Sequence, residues 1–150
     1  KALSGGTLPV SAVLANDSIM DTIGPGEHGS TYGGNPLACA VAMEALKVLE
    51  EEHMAARAAS LGDHMLQALR ALDSPWIGEV RGKGLMQALV ITHPRPDAAW
   101  ELCLALRDRG LLAKPTHGDR IRLAPPLVIT AAQIEECVAM IKDSLDQLDA

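Results

Sequence analysis

The eleven residues Gly26-Glu27-His28-Gly29-Ser30-Thr31-Tyr32-Gly33-Gly34-Asn35-Pro36 constrain this chain more than any other segment. Glycines at 29, 33 and 34 let the backbone turn tightly and approach a ligand without a Cβ in the way. Asn35 suits an N-cap and Pro36 suits the first helical position, so a helix is expected to start here. The unpaired N–H groups and positive dipole end of that helix would face back into the loop. Ser30 and Thr31 add hydroxyls between the glycines. Such a loop can meet a phosphate or an oxyanion. A plain turn between a strand and a helix would use the same residues, and a glycine-rich string alone does not decide between the two.

The chain has 150 residues, enough for one domain or a large part of one. Apolar residues make up 48% of it but aromatics only 2%, so the core must be built from Leu, Ala, Val, Ile and Met. So few rings argue against a self-sufficient site that stacks a ring cofactor or bases. The net charge is −6 and no run of Lys and Arg stands out, which gives nucleic-acid binding little support. No apolar run is long enough to span a bilayer and no signal peptide is evident, so no membrane role is expected. Cys39, Cys103 and Cys137 are odd in number and far apart, and read as reduced thiols inside helices of a protein in a cytosol-like compartment. His28 and His117 lie in glycine-containing loops, while His53, His64 and His93 read as surface positions. None of the five forms a metal-ligand pair by spacing, so no metal is expected.

Leu8 to Leu14 reads as a short buried strand. Pro36 to about Glu51 reads as a helix, apolar on nearly every side from Leu37 to Met43 and therefore expected to be deeply packed. Glu50-Glu51-Glu52 marks a solvated bend. Met54, Ala58, Leu61, Met65, Leu69 and Leu72 recur every three or four residues, the pattern of an amphipathic helix closed by Asp73-Ser74-Pro75. Ile77–Val80 and Leu85–Ile91 read as strands joined through Arg81-Gly82-Lys83-Gly84. That link lacks the Ser/Thr and helix of a phosphate loop and reads as a turn. A helix from Asp97 to Arg109 stops at Gly110. Leu111–Ala113 and Arg120–Leu123 read as short strands, with Asp119 and Arg120 as a local pair. Thr130 and Gln133 make a capping box for a last helix whose inner face is Ile134, Cys137, Val138, Ile141, Leu145 and Leu148. Residues 52–150 thus read as an α+β unit, helices on one side of a small antiparallel sheet, and residues 1–51 as strand, loop and helix.

Three segments in this order carry a family resemblance: Lys1-Ala2-Leu3-Ser4-Gly5-Gly6, the GEHGSTYGGNPLACAVA string from Gly26, and GLLAKPTHGDRIRLAPPLVI from Gly110, with VRGKGL between the last two. Together they resemble the C-terminal portion of a class III aminotransferase dependent on pyridoxal 5′-phosphate, over essentially the whole chain. The AKPTHGDRIR stretch resembles the ornithine-specific members. The resemblance implies an α/β enzyme of the fold type I pyridoxal-phosphate class. Residues 1–51 would be the end of the large cofactor domain with the interdomain helix, and residues 52–150 the small domain.

It further implies site residues. Lys1 matches the lysine that forms a Schiff base with the cofactor and carries the catalytic proton. A lysine in water has a pKa of about 10.4, so that role needs desolvation or cationic neighbours. Ser30 and Thr31 match the phosphate-contacting element, which in the family reaches across a homodimer into the neighbouring active site. Arg122 matches an arginine that meets a substrate carboxylate, as the planar guanidinium allows, although a strand-end salt bridge would also suit it. The family's aspartate for the pyridine nitrogen, its stacking ring and its phosphate cup precede the lysine, so this chain is expected to be the C-terminal part of a longer enzyme. The implied reaction moves the δ-amino group of ornithine to 2-oxoglutarate. Acetylornithine or 4-aminobutyrate as amino donor are the alternatives, as is a catalytically silent association module when the chain stands alone. The location expected from the reduced thiols is cytoplasmic, with the mitochondrial matrix as the alternative.

Overall fold

The computed structural model describes residues 3–148, so Lys1 lies outside the described residues. The chain divides into two compact units, one up to Met54 and one from Ala55 onward.

In the first unit a short helix α1 (Asp17–Met20) and a long helix α2 (Pro36–Glu51) are joined by irregular chain. Asn35 starts α2 as its residue type demands. Its side chain accepts from the Ala38 N–H at 2.9 Å, and Pro36 fills the first turn, where no N–H is needed. Two expectations fail here. Leu8–Leu14 forms no strand: a strand needs a neighbour to pair its backbone groups, none of the described strands reaches it, and Pro9 removes one donor. Nor is α2 deeply packed by the described residues of this chain. Only Ala38 and Ala42 are buried along it, while Leu37 is 67% and Met43 73% exposed. An apolar surface on every side of a helix records what the helix can bury, and only the neighbours available decide what it does bury.

The second unit is a four-stranded antiparallel sheet of β1 (Ile77–Lys83), β2 (Met86–Ile91), β3 (Lys114–Thr116) and β4 (Arg120–Leu123), in the order β1-β2-β4-β3. Helices α3 (Met54–Arg70), α4 (Ala98–Asp108) and α5 (Ala131–Leu145) supply the rest of its core. Alternation along β1, β2 and β4 sends Val80, Leu89, Ile91, Ile121 and Leu123 into that core. Leu69, Leu102, Leu106, Ile134 and Ile141 meet them from the helices, all of them fully buried. The capping box of Thr130 and Gln133 opens α5, and Gly110 at φ +92° ends the chain segment leaving α4.

Two details correct the sequence reading. Arg81 to Lys83 belong to β1, so the turn shrinks to Gly84-Leu85, with Gly84 at φ +55°. The strand read at Leu111–Ala113 lies instead at Lys114–Thr116. His117 and Gly118, at φ +54° and +82°, form the reversal that sets Thr116 opposite Arg120, and Leu111–Ala113 then runs past the end of β4. Leu111 and Ala113 still pack on the core, as their apolar side chains require. Close packing explains Gly62: a Cβ there would stand 2.2 Å from the backbone of Gly84, so α3 can lie against the β1–β2 turn only with glycine at that point.

Candidate functional site

In the loop before α2, Asn35 works twice. Besides capping the helix, its amide donates to the Tyr32 carbonyl at 3.0 Å and so holds the end of the loop. Ser30 Oγ accepts from the Gly33 N–H at 3.0 Å. A Cβ at Gly33 would press on the Ser30 side chain at 3.0 Å, so the Ser30 bond needs glycine there. The Ser30 hydroxyl proton stays available, and Thr31 makes no side-chain hydrogen bond among the described residues. Both side chains are exposed, and open space lies over Gly29 and Gly34. The one carboxylate of the loop, Glu27, is turned back to accept from the Gly24 N–H at 2.6 Å. What remains is a patch of hydroxyl and N–H donors, and this fits a phosphate group. The first unit has no second aromatic residue beside Tyr32, which is exposed, so a stacked ring would need walls from elsewhere.

Arg122 stands in the middle of β4, on the face of the sheet turned away from the core, and is exposed. Its neighbours across the strands are Ala88 of β2 and Lys114 of β3, and Arg81 of β1 lies beyond Ala88. Arg122 has no ion pair among the described residues, whereas Arg81 pairs with Glu79 at 3.2 Å and Arg120 with Asp119 at 3.3 Å. A free guanidinium held on a paired strand is suited to a carboxylate. The sequence shows no basic run, yet the fold collects Arg81, Lys83, Lys114, Arg120 and Arg122 on one face. The signal that could have found this is the two-residue spacing of 81 with 83 and of 120 with 122, the period of a strand.

Ser30 and Thr31 therefore belong to the first unit and Arg122 to the second. The cysteines are unpaired, one in each of α2, α4 and α5. Burial pushes the Cys103 thiol up to about 11. Burial also raises Cys137, and the carboxylate of Glu136 adds to it. Neither is poised as a nucleophile. His93 is half-buried rather than a surface residue, because its ring packs on Trp76 with centroids 4.2 Å apart. No helix among the described residues is long and apolar enough to cross a membrane.

Comparison with known proteins adds the following. The family pattern described as aminotransferase class-III matches residues 1–145. The mitochondrial ornithine aminotransferase of Rattus norvegicus is 59% identical over 145 residues, covering 97% of this chain and 33% of that protein. Among solved structures, an ornithine delta-aminotransferase from Plasmodium falciparum superposes with a TM-score of 0.91 at 46% identity, over 99% of this chain and 38% of that one. An acetylornithine aminotransferase from Elizabethkingia anophelis gives 0.90 at 56% identity, over 98% and 39%. The chain spans about a third of the length of the curated relatives it matches.

Proposed function

This chain belongs to the class-III aminotransferases, and on that premise we propose that the enzyme in which it works moves the δ-amino group of ornithine to 2-oxoglutarate, releasing glutamate semialdehyde and glutamate. The observation that carries this reading is the guanidinium of Arg122, without an ion pair among the described residues and held on β4 within a chain so like the ornithine enzymes. Pyridoxal 5′-phosphate is the cofactor the reading requires, and when bound it supplies the carbonyl and the electron sink for amino transfer.

The chain's own residues then take separate tasks. Lys1 is the amine that would anchor the cofactor and shuttle the proton at the reacting carbon, and it must be unprotonated to attack and to accept that proton before handing it on. Ser30 and Thr31 donate to the phosphate. Their exposed position supports a shared site, in which each loop of a twofold homodimer completes its partner's centre. Arg122 grips the carboxylate beside the reacting carbon of glutamate or 2-oxoglutarate with two parallel hydrogen bonds. Ornithine reacts at its far end, so the same grip must be masked while ornithine is bound, and an acid outside this chain is the partner that would do so. The unpaired thiols suit a reducing compartment, the cytoplasm or the mitochondrial matrix.

Donor selectivity tests the proposal. The enzyme carrying this chain is assayed with ornithine, acetylornithine and 4-aminobutyrate against 2-oxoglutarate. Ornithine is expected to be turned over fastest. Acetylornithine is the second reading, favoured by the 56% identity to the Elizabethkingia enzyme, and preference for it would replace the first.

A further inference from the structure

Strand β4 is short, and Arg122 is the last of its residues held from both sides. It pairs with Ala88 of β2 and Lys114 of β3, whereas Leu123 pairs only with Gln87. Beyond Leu123 the chain leaves the sheet as a strap, residues 124–129, which runs to the Thr130 cap of α5. The strap can fasten itself only weakly. Pro125 and Pro126 have no N–H to give, and the bond within the strap runs from the Ile129 N–H to the Pro126 carbonyl at 3.0 Å. It also lacks a full bed. Pro125, Pro126 and Ile129 line a cavity of about 390 Å³ whose other walls include Met65 of α3 and Cys137 of α5. Val128 is turned outward, at 61% exposure. The tie comes from α3. The Arg57 guanidinium donates from Nε to the Leu127 carbonyl at 3.2 Å, and from Nη2 to the carbonyls of Val128 at 3.2 Å and Ile129 at 2.8 Å. Arg57 makes no ion pair among the described residues, so no carboxylate competes for these donors. A charged donor on a carbonyl makes a stronger bond than a neutral one.

We propose that Arg57 is a positioning residue: it latches the 124–129 strap over the cavity and so keeps the C-terminal end of β4, with Arg122, in register. Two anchors hold the strap. Leu123, 4% exposed, plugs its root into the core, and Arg57 ties its far end to the start of α3. With prolines within it and a cavity beneath it, the strap has little else to resist lifting. Once it lifts, β4 frays from its open end, where Arg122 is the residue next to Leu123. The planar fork of an arginine can serve three successive carbonyls from one side chain, which glutamine and lysine cannot match. The inference rests on the carboxylate role proposed above for Arg122. It adds a residue that acts through the strap rather than on the substrate.

The test is Arg57→Gln in the full enzyme carrying this chain, with two readouts. Hydrogen exchange, followed by mass spectrometry, should be at least about threefold faster at Ile129, whose N–H closes the strap. In single-turnover kinetics, the 2-oxoglutarate concentration that half-saturates its half-reaction should rise by about threefold or more, while the limiting rate stays within about twofold. The half-saturating concentration of ornithine should stay within about twofold, because ornithine presents its other end to the reaction. Should Arg57→Gln not fold, Arg57→Lys replaces it, keeping the charge but losing the fork, and should shift both readouts in the same direction. Unchanged exchange at Ile129 would overturn the latch. Faster exchange with unchanged use of 2-oxoglutarate would overturn the positioning role, since burial of Leu123 would then hold Arg122 alone. Equal weakening of both half-reactions would mean a general loss of structure and would overturn it too. Arg122→Lys, run in parallel, separates this inference from the reading beneath it. Impairment of the 2-oxoglutarate half by Arg122→Lys but not by either Arg57 variant sinks the latch alone, and no impairment by Arg122→Lys sinks the carboxylate role and the positioning role with it.

Discussion

Within this chain, which spans about a third of the length of the curated relatives it matches, the two units handle apolar residues in opposite ways. From Ala55 onward, Leu and Ile on three helices and three strands close into one core, with Leu69, Leu89, Leu102, Ile121, Ile134 and Ile141 all at 0% exposure. Up to Met54, helix α2 buries only two alanines and leaves Leu37, Met43 and Leu46 in contact with solvent. The polar chemistry is divided the other way. The first unit has its hydroxyl donors on an open loop, while the second supplies guanidiniums fixed on a paired strand. A loop of donors needs neither a strand partner nor a core to keep its hydroxyls available, whereas a guanidinium proposed to grip a carboxylate needs a rigid base. The contrast also explains why the same reading of apolar pattern succeeds on α5 and fails on α2.

Substitution of buried leucines should expose the contrast most strongly. Leu102→Ala removes a fully buried side chain from α4 and is expected to destabilise the second unit by about 2–5 kcal/mol in urea unfolding. Met43→Ala on α2, where the side chain is 73% exposed, should change stability by no more than about 0.5 kcal/mol. Similar losses at both positions would break the comparison. Glycine replacements come next. Gly62→Ala forces a Cβ against the Gly84 backbone and should be destabilising by about 1–3 kcal/mol, whereas Gly29→Ala enters open space and should stay within about 0.5 kcal/mol. Local chemistry should not distinguish the units. Asn35→Ala and Thr130→Ala each remove an N-cap bond and should each lower stability by about 1 kcal/mol, a prediction that thermal melts can check.

A pH dependence sharpens the picture of the second core. The folded pKa of Cys103 lies near 11, raised from 9.0 by burial, so the native state holds this proton more tightly than the unfolded chain. Its contribution is complete below about pH 9 and is lost as the pH rises through about 11. Unfolding titrations between these limits should show stability falling, and Cys103→Ser should flatten that fall. In thiol labelling, exposed Cys39 should react first and Cys103 last.

Much of this was legible in the sequence because its signals are local. The Asn35-Pro36 start of α2, the Thr130–Gln133 box, the Gly110 stop and the inner face of α5 each follow from a few neighbouring residues, and the structure has them, except that Cys137 is only half-buried and Leu148 lies beyond the end of α5. The failures required information from distant residues. Leu8–Leu14 has the composition of a strand but no strand to pair with, and the register of β3 depends on the reversal at His117-Gly118 rather than on the apolar residues before it. For the proposed site, Ser30, Thr31 and Arg122 stand in motifs that the sequence displays. The row that sets Arg81 beside Arg122 is not displayed there, because it exists only once β1, β2 and β4 are in register.

The division of tasks is tested most directly at Arg122, by single-turnover kinetics of each half-reaction in the enzyme carrying Arg122→Lys. Lysine keeps the charge and loses the two-pronged geometry. A hydrogen bond to a charged group is worth about 1.5–3 kcal/mol, so the half-reaction with 2-oxoglutarate should slow by roughly ten- to a hundredfold. The half-reaction with ornithine, whose carboxylate lies at the other end from the reacting amine, should keep its rate. An equal loss in both halves, or no loss in either, would contradict the account.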